Sequence, residues 1–162
     1  MNEGGLLEGK RILIVDDEVD VLDTLEELLE GCAVWKANSY DEAKSLLEGE
    51  KFDIVILDIM GVKGYELLDL SNRKGLIAVM LTAHALEAES VVRSYKEGAA
   101  SFLPKEKMTD IKLYLGDVLE AKQQNRDPWW RWLGRFYTFW KEELGEDWRD
   151  RDEEFYNKLK KL

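Results

Sequence analysis

Five short apolar runs, each rich in β-branched or aromatic residues, alternate with segments of helical spacing: Arg11–Val15, Ala33–Ala37, Phe52–Leu57, Ala78–Leu81 and Ser101–Leu103. Apolar runs this short, bounded by turn-forming residues, read as strands. Between them, apolar residues recur three or four apart: Val21, Leu22, Leu25, Leu28 and Leu29; Ala43, Leu46 and Leu47; Leu67, Leu68 and Leu70; Val91, Val92 and Tyr95. A last amphipathic segment, from about Thr109 to Lys122, carries Ile111, Leu115, Val118 and Leu119 on one side. Ser39 with Glu42 forms a capping-box pattern at one helix start, and Gly31, Gly49 and Gly98 stand where helices should stop. Repeated β-then-α alternation predicts an α/β fold: a five-stranded parallel sheet, doubly wound, with helices on both faces.

In open sheets of this kind, ligands bind beyond the carboxyl ends of the strands, near the point where strand order reverses. Just past the first strand stand Asp16 and Asp17, past the third Asp58, past the fourth Thr82, and past the fifth Lys105. Carboxylates brought together repel one another, so they share protons or hold a hard cation such as Mg²⁺. Lys105 then pairs with a carboxylate or with an arriving phosphoryl oxygen. Glu18 and Asp20 read as plain acids at a helix start, where the helix dipole favours them.

The strings Ile-Leu-Ile-Val-Asp-Asp-Glu at 12–18, Ile-Leu-Asp-Ile at 56–59, Met-Leu-Thr-Ala at 80–83 and Ser-Phe-Leu-Pro-Lys at 101–105 resemble the receiver domains of two-component response regulators, a flavodoxin-like family. The resemblance spans residues 10–122. It implies that Asp58 is the phosphoacceptor, that Asp16, Asp17 and Asp58 hold Mg²⁺, that Thr82 receives a phosphoryl oxygen and that Lys105 makes the ion pair. It also implies Phe102 as the switch aromatic and His84, two residues past Thr82, as a tuner of dephosphorylation. A sensor histidine kinase or phosphotransfer protein is the implied partner. Two departures stand out. The loop from Asp58 to Gly64 is about two residues short and lacks Pro, which puts the expected metal-ligating backbone carbonyl, nominally that of Met60, in question. Lys105 is followed by Glu106 where the family commonly has Pro.

Two other readings compete with this resemblance. A haloacid-dehalogenase-like phosphatase would need a second Asp two positions after Asp16, where Glu18 stands, and a further acidic pair after the lysine strand. A degenerate receiver serving only as an interaction module would follow if the short loop impaired metal binding. The resemblance implies a signal acceptor, not an enzyme.

A chain of 162 residues has room for one domain and a small appendage. No run approaches the roughly 18 to 20 apolar residues of a membrane span, and residues 1–9 read as a tail without the basic start and apolar run of a leader. A cytoplasmic location is therefore expected, with no membrane attachment. The single Cys32 reads as a small apolar residue without function. The net charge of −11 is concentrated in residues 1–121, with 25 acids against 13 basic residues, whereas 122–162 carry 9 against 10. Such a surface repels nucleic acid, so no nucleic-acid partner is expected.

Residues 123–128 form a polar linker, in which Asp127 suits a helix N-cap and Pro128 a first helical turn. Beyond it, Trp129, Trp132, Leu133, Phe136, Tyr137, Trp140 and Leu144 recur at helical spacing up to Gly145. Trp148, Phe155, Tyr156, Leu159 and Leu162 form a second such face. Residues 129–162 are thus expected to form a helical hairpin. With Trp130 and Phe139 its apolar surface is wider than a small hairpin covers, which points to self-association or docking of a partner protein.

Overall fold

A computed structural model describes residues 3–83, 88–129, 131–132 and 134–135. The chain runs α1 (Glu3–Leu7), β1 (Arg11–Val15), α2 (Val19–Leu28), β2 (Ala33–Ala37), α3 (Tyr40–Gly49), β3 (Ile54–Asp58), α4 (Gly64–Arg73), β4 (Ile77–Thr82), α5 (Ala88–Lys96), β5 (Ser101–Pro104), a 3₁₀ turn (Lys105–Asp110) and α6 (Ile111–Gln123). All strands pair in parallel in the order β2-β1-β3-β4-β5. The α/β doubly wound architecture is the one the alternation predicts. Strand order reverses beside β1, so a crevice opens between the ends of β1 and β3.

The inner strands have no polar alternation because they are covered on both sides. Ile12 to Val15, Ile54 to Leu57 and Val79 to Leu81 are fully buried. Helices α1, α2 and α6 pack together on one face, and α3 packs against α4 on the other. There the Tyr65 hydroxyl of α4 donates to the Ser90 carbonyl of α5 at 3.3 Å. Helix α3 starts where its cap predicts, with Ser39 Oγ accepting from the Glu42 amide at 3.2 Å.

Several boundaries differ from the sequence reading. β3 begins at Ile54 and extends through Asp58, because Asp58 still pairs with Leu81. Phe52 instead stands before the strand and packs edge-on against Trp35, with ring centroids 5.4 Å apart. Residues 1–9 are not merely a tail: Glu3–Leu7 is a helix packed on α6, and Leu7 is 1% exposed. Cys32 is half-buried, and its thiol donates to the Leu7 carbonyl at 3.4 Å. A five-residue helix is too short to signal itself by periodicity, since its stability comes from the surface it meets. Most of the expected helical hairpin lies outside the described residues.

Leu7 therefore belongs to the core. Leu7→Ala should lower the unfolding free energy by about 2–4 kcal/mol in urea denaturation; a loss under about 0.5 kcal/mol, the range of a surface change, would return residues 1–9 to the status of a tail.

Candidate functional site

The carboxyl ends of four strands converge at one edge of the sheet. β1 stops at Val15 and its continuation is held by the Asp16 amide donating to the Ala37 carbonyl at 3.1 Å, which leaves the Asp16 side chain fully buried. Asp58 is the last residue of β3 and is 4% exposed. Thr82, last in β4, is buried beside Pro104, its register partner on β5. Lys105 follows β5 at once, and its Nζ lies 2.9 Å from Asp16 Oδ2, 2.9 Å from Glu18 Oε1 and 3.5 Å from Asp58 Oδ1. The fold thus gathers Asp16, Asp58, Thr82 and Lys105 from residues up to 89 positions apart in sequence.

Burial raises the carboxyl groups, and the neighbouring charges modulate the effect. Asp58 is pushed up to about 6, first by desolvation, then by the negative charge of Asp16, with Lys105 opposing. Asp16 is likewise raised by burial, against the Glu18 amide that donates to its Oδ1 at 2.8 Å and against Lys105. For Lys105, burial works against the charge, but contacts with Asp16 and Glu18 and the field of Asp58 outweigh it and hold the ammonium above its ordinary value. Glu18, read from sequence as a plain helix acid, is a partner of Lys105. Its place in the Asp-Asp-Glu run was the only sequence signal for this.

A divalent cation fits this set. Asp16 Oδ2 is fully buried, with the Lys105 ammonium 2.9 Å away as its neighbour. Asp16, Asp17 and Glu18 each offer an oxygen, all within 4.8 Å of one another. Oxygen donors, a buried acceptor and surplus negative charge suit a hard ion such as Mg²⁺. In this arrangement the clustered third carboxylate is Glu18, while Asp58 joins the group through Lys105.

The short loop after Asp58 is closed tightly on the site. Gly61 has φ +86°, and a Cβ there would fall 2.4 Å from Asp17 Oδ2. A Cβ on Gly64 would fall 2.2 Å from the Asp58 carbonyl oxygen and 2.8 Å from Ile59 Cα. Gly64 is required by its close approach to backbone, and Gly61 by its left-handed φ. Lys63 between them adopts a left-handed φ of 55°, and its ammonium lies 5.0 Å from the Tyr40 ring centroid. Met60 sits in this loop and is 65% exposed. Every described peptide bond is trans, including those flanking Lys105.

Phe102 is fully buried in β5 and lies opposite Met80 of β4. His84 lies outside the described residues. In the extension, Trp129 and Trp132 are 3% and 2% exposed and pack on the domain rather than presenting a free face. For these two rings the expected self-association surface is corrected to an internal contact.

The response regulator receiver domain model matches residues 12–115. Among curated proteins, the chain is 33% identical over 103 residues to the two-component response regulator ARR18 of Arabidopsis thaliana, covering 60% of this chain and 16% of that one. It is 34% identical over 120 residues to the alginate biosynthesis transcriptional regulatory protein AlgB of Pseudomonas putida, covering 70% of this chain and 27% of that one. The chain therefore spans only a minor part of these relatives. Among solved structures, a CheY-like receiver domain protein from Methanospirillum hungatei superposes with a TM-score of 0.64 at 29% identity, covering 73% of this chain and 99% of that one. The receiver domain of a LuxO repressor relative from Vibrio parahaemolyticus shares the fold, with a TM-score of 0.64 at 22% identity and coverages of 72% and 95%.

Two predictions follow from the site geometry. Asp58 titrates near 6 in the fold against 3.8 in an ordinary carboxyl, so its contribution to stability is present below about pH 4 and lost as pH rises through about 6. Without added metal, Asp58→Asn should be more stable than the wild type by on the order of 2 kcal/mol near neutrality, with the gain vanishing towards about pH 4. A pH-independent difference in urea titrations would contradict this. Gly64→Ala should cost about 1–3 kcal/mol, because backbone atoms cannot swing aside. Gly49→Ala, with nothing within 4 Å of its Cβ, serves as the control and should not destabilise; equal effects at the two positions would dismiss the close approach.

Proposed function

Because the chain belongs to the response regulator receiver family, we propose that it accepts a phosphoryl group on Asp58 from a histidine kinase or phosphotransfer protein. We further infer that its output passes through protein contacts rather than DNA. The supporting observation is the pairing of a buried carboxylate at the end of β3 with the ammonium of Lys105, 3.5 Å away.

In this reading an Asp58 carboxylate oxygen attacks phosphorus in line. The new O–P bond forms as the bond from phosphorus to the donor breaks, and the electron pair leaves with the donor's imidazole nitrogen or, from acetyl phosphate, with acetate. Lys105 shifts from Asp16 and Glu18 towards the phosphoryl oxygens and neutralises their charge. Thr82, at the adjacent strand end, presents its hydroxyl to one of those oxygens. Asp16, Asp17 and Asp58 would hold Mg²⁺, with the Met60 carbonyl as a further donor. When bound, that ion draws negative charge from the transferring group. Phe102 is the residue through which the change would be felt beyond the site, and His84 the one that would tune its lifetime. The chain acts as an acceptor carrying one phosphoryl group, not as a turnover enzyme.

The charge of the first 121 residues, 25 acids against 13 basic residues, supports a protein partner over nucleic acid. Among the described residues no helix is long and apolar enough to cross a membrane.

Intact-protein mass after treatment with acetyl phosphate and Mg²⁺ tests the reading. A single labile phosphoryl adduct is expected, dependent on Mg²⁺ and absent from Asp58→Asn. No adduct, with a known receiver reacting alongside, would favour a phosphorylation-independent interaction module.

A further inference from the structure

The start of the C-terminal extension is bound to the edge of the sheet by specific contacts. The Asp127 carboxylate accepts from the Trp129 amide at 2.9 Å and sets the first helical turn. The Trp129 indole N–H donates to the Ala99 carbonyl at 2.6 Å, and that of Trp132 to the Phe102 carbonyl. The rings form a chain of edge-on contacts, with Tyr95 and Trp129 5.5 Å apart, Trp129 and Trp132 4.6 Å, and Trp132 and Phe102 6.3 Å. On the flank, Asp117 of α6, only 8% exposed, is paired with Arg135 and, at 3.4 Å, with Arg131. Arg131 also reaches Glu120 at 3.0 Å. Burial of an acid on a helix beside a sheet edge is costly unless cations come to it. Both cations come from this segment.

The seat of this segment is the same four-residue strand that delivers Lys105 to the site. β5 is an edge strand, anchored on one side only by β4. Trp132 grips Phe102 twice, by its carbonyl and by its ring. Phe102 is thereby fully enclosed three residues before Lys105. With the segment seated, Lys105 lies nearer to Asp16 and Glu18, at 2.9 Å each, than to Asp58 at 3.5 Å. The carbonyl held by the Trp132 indole is three residues before Lys105, so a shift of Lys105 towards a group on Asp58 would act on the strand end that the indole holds. The connection from Gln123 to Asp127 is polar and exposed, so the segment can leave without unwinding α6.

We propose that the segment carrying Asp127, Trp129, Arg131, Trp132 and Arg135 acts as an intramolecular strap whose seating on β5 opposes loading of Asp58, so that release of the strap and phosphorylation favour one another. This rests on the phosphoacceptor reading above. Linkage makes the coupling reciprocal: whatever loosens the strap strengthens loading by the same factor.

The full-length wild type, Trp132→Phe and the double variant Arg131→Gln/Arg135→Gln are compared with acetyl phosphate and Mg²⁺. Intact mass follows the adduct, and hydrogen exchange follows residues 99–104 and 127–135. Trp132→Phe keeps a ring and removes the N–H, so it guards against a variant that merely misfolds. The expected result is exchange in both segments faster by about 5-fold or more on phosphorylation, and a similarly higher adduct fraction at limiting acetyl phosphate in the variants. An adduct that forms with unchanged exchange, or a fraction unchanged or lower in both variants, overturns the strap and leaves Asp58 as acceptor. No adduct in any of the three proteins overturns both.

Discussion

One ammonium group holds the site together. Asp16 and Asp58 are removed from water at the ends of neighbouring central strands, and Lys105 lies between them at the end of an edge strand. Removing Lys105 would leave the buried Asp16 and Asp58 carboxyl groups without their cation, which costs far more than the net worth of the pair. The raised titration of Asp58 shows that compensation is incomplete: burial and Asp16 push it up more than Lys105 pulls it down. That residual excess of negative charge suits the site to a hard cation.

The loop between β3 and α4 shows how a short connection is accommodated beside this charge. With fewer residues to turn in, the chain passes so close to Asp17 and to the Asp58 carbonyl that a side chain at Gly61 or Gly64 would collide with them. The loop therefore depends on glycine for space as much as for backbone freedom. The fit of the loop and the placing of the carboxylates are one problem, since any displacement of residues 61–64 displaces the groups it touches.

On the far side of β4, the edge strand is protected by its own chain. A four-residue strand with one neighbour offers unpaired backbone groups and little area to anchor it. The strap supplies both cover and hydrogen-bond donors, placing Trp132 over Phe102 and two arginines against Asp117. Aromatic residues that looked from their number like a docking surface are, at 129 and 132, interior residues of the domain. Packing on the sheet edge thus continues past α6 to Trp132, and the part of β5 that leads to Lys105 also meets Trp132.

The fold class was legible in the sequence because runs such as Ile-Leu-Ile-Val at 12–15 and Ile-Val-Ile-Leu at 54–57, alternating with helical segments, are the trace of strands buried on both faces of a parallel sheet. The convergence of Asp16, Asp58, Thr82 and Lys105 was legible too, since parallel strands bring their carboxyl ends to one edge. Other features were decided by tertiary contact. Glu18 reaches Lys105 from 87 residues away, the helix Glu3–Leu7 packs against α6, and Trp132 finds the carbonyl of Phe102 across the sheet edge. Local periodicity records which residues are buried. It carries no record of which distant surface buries them, because that depends on the packed geometry of elements whose sequences do not mention one another.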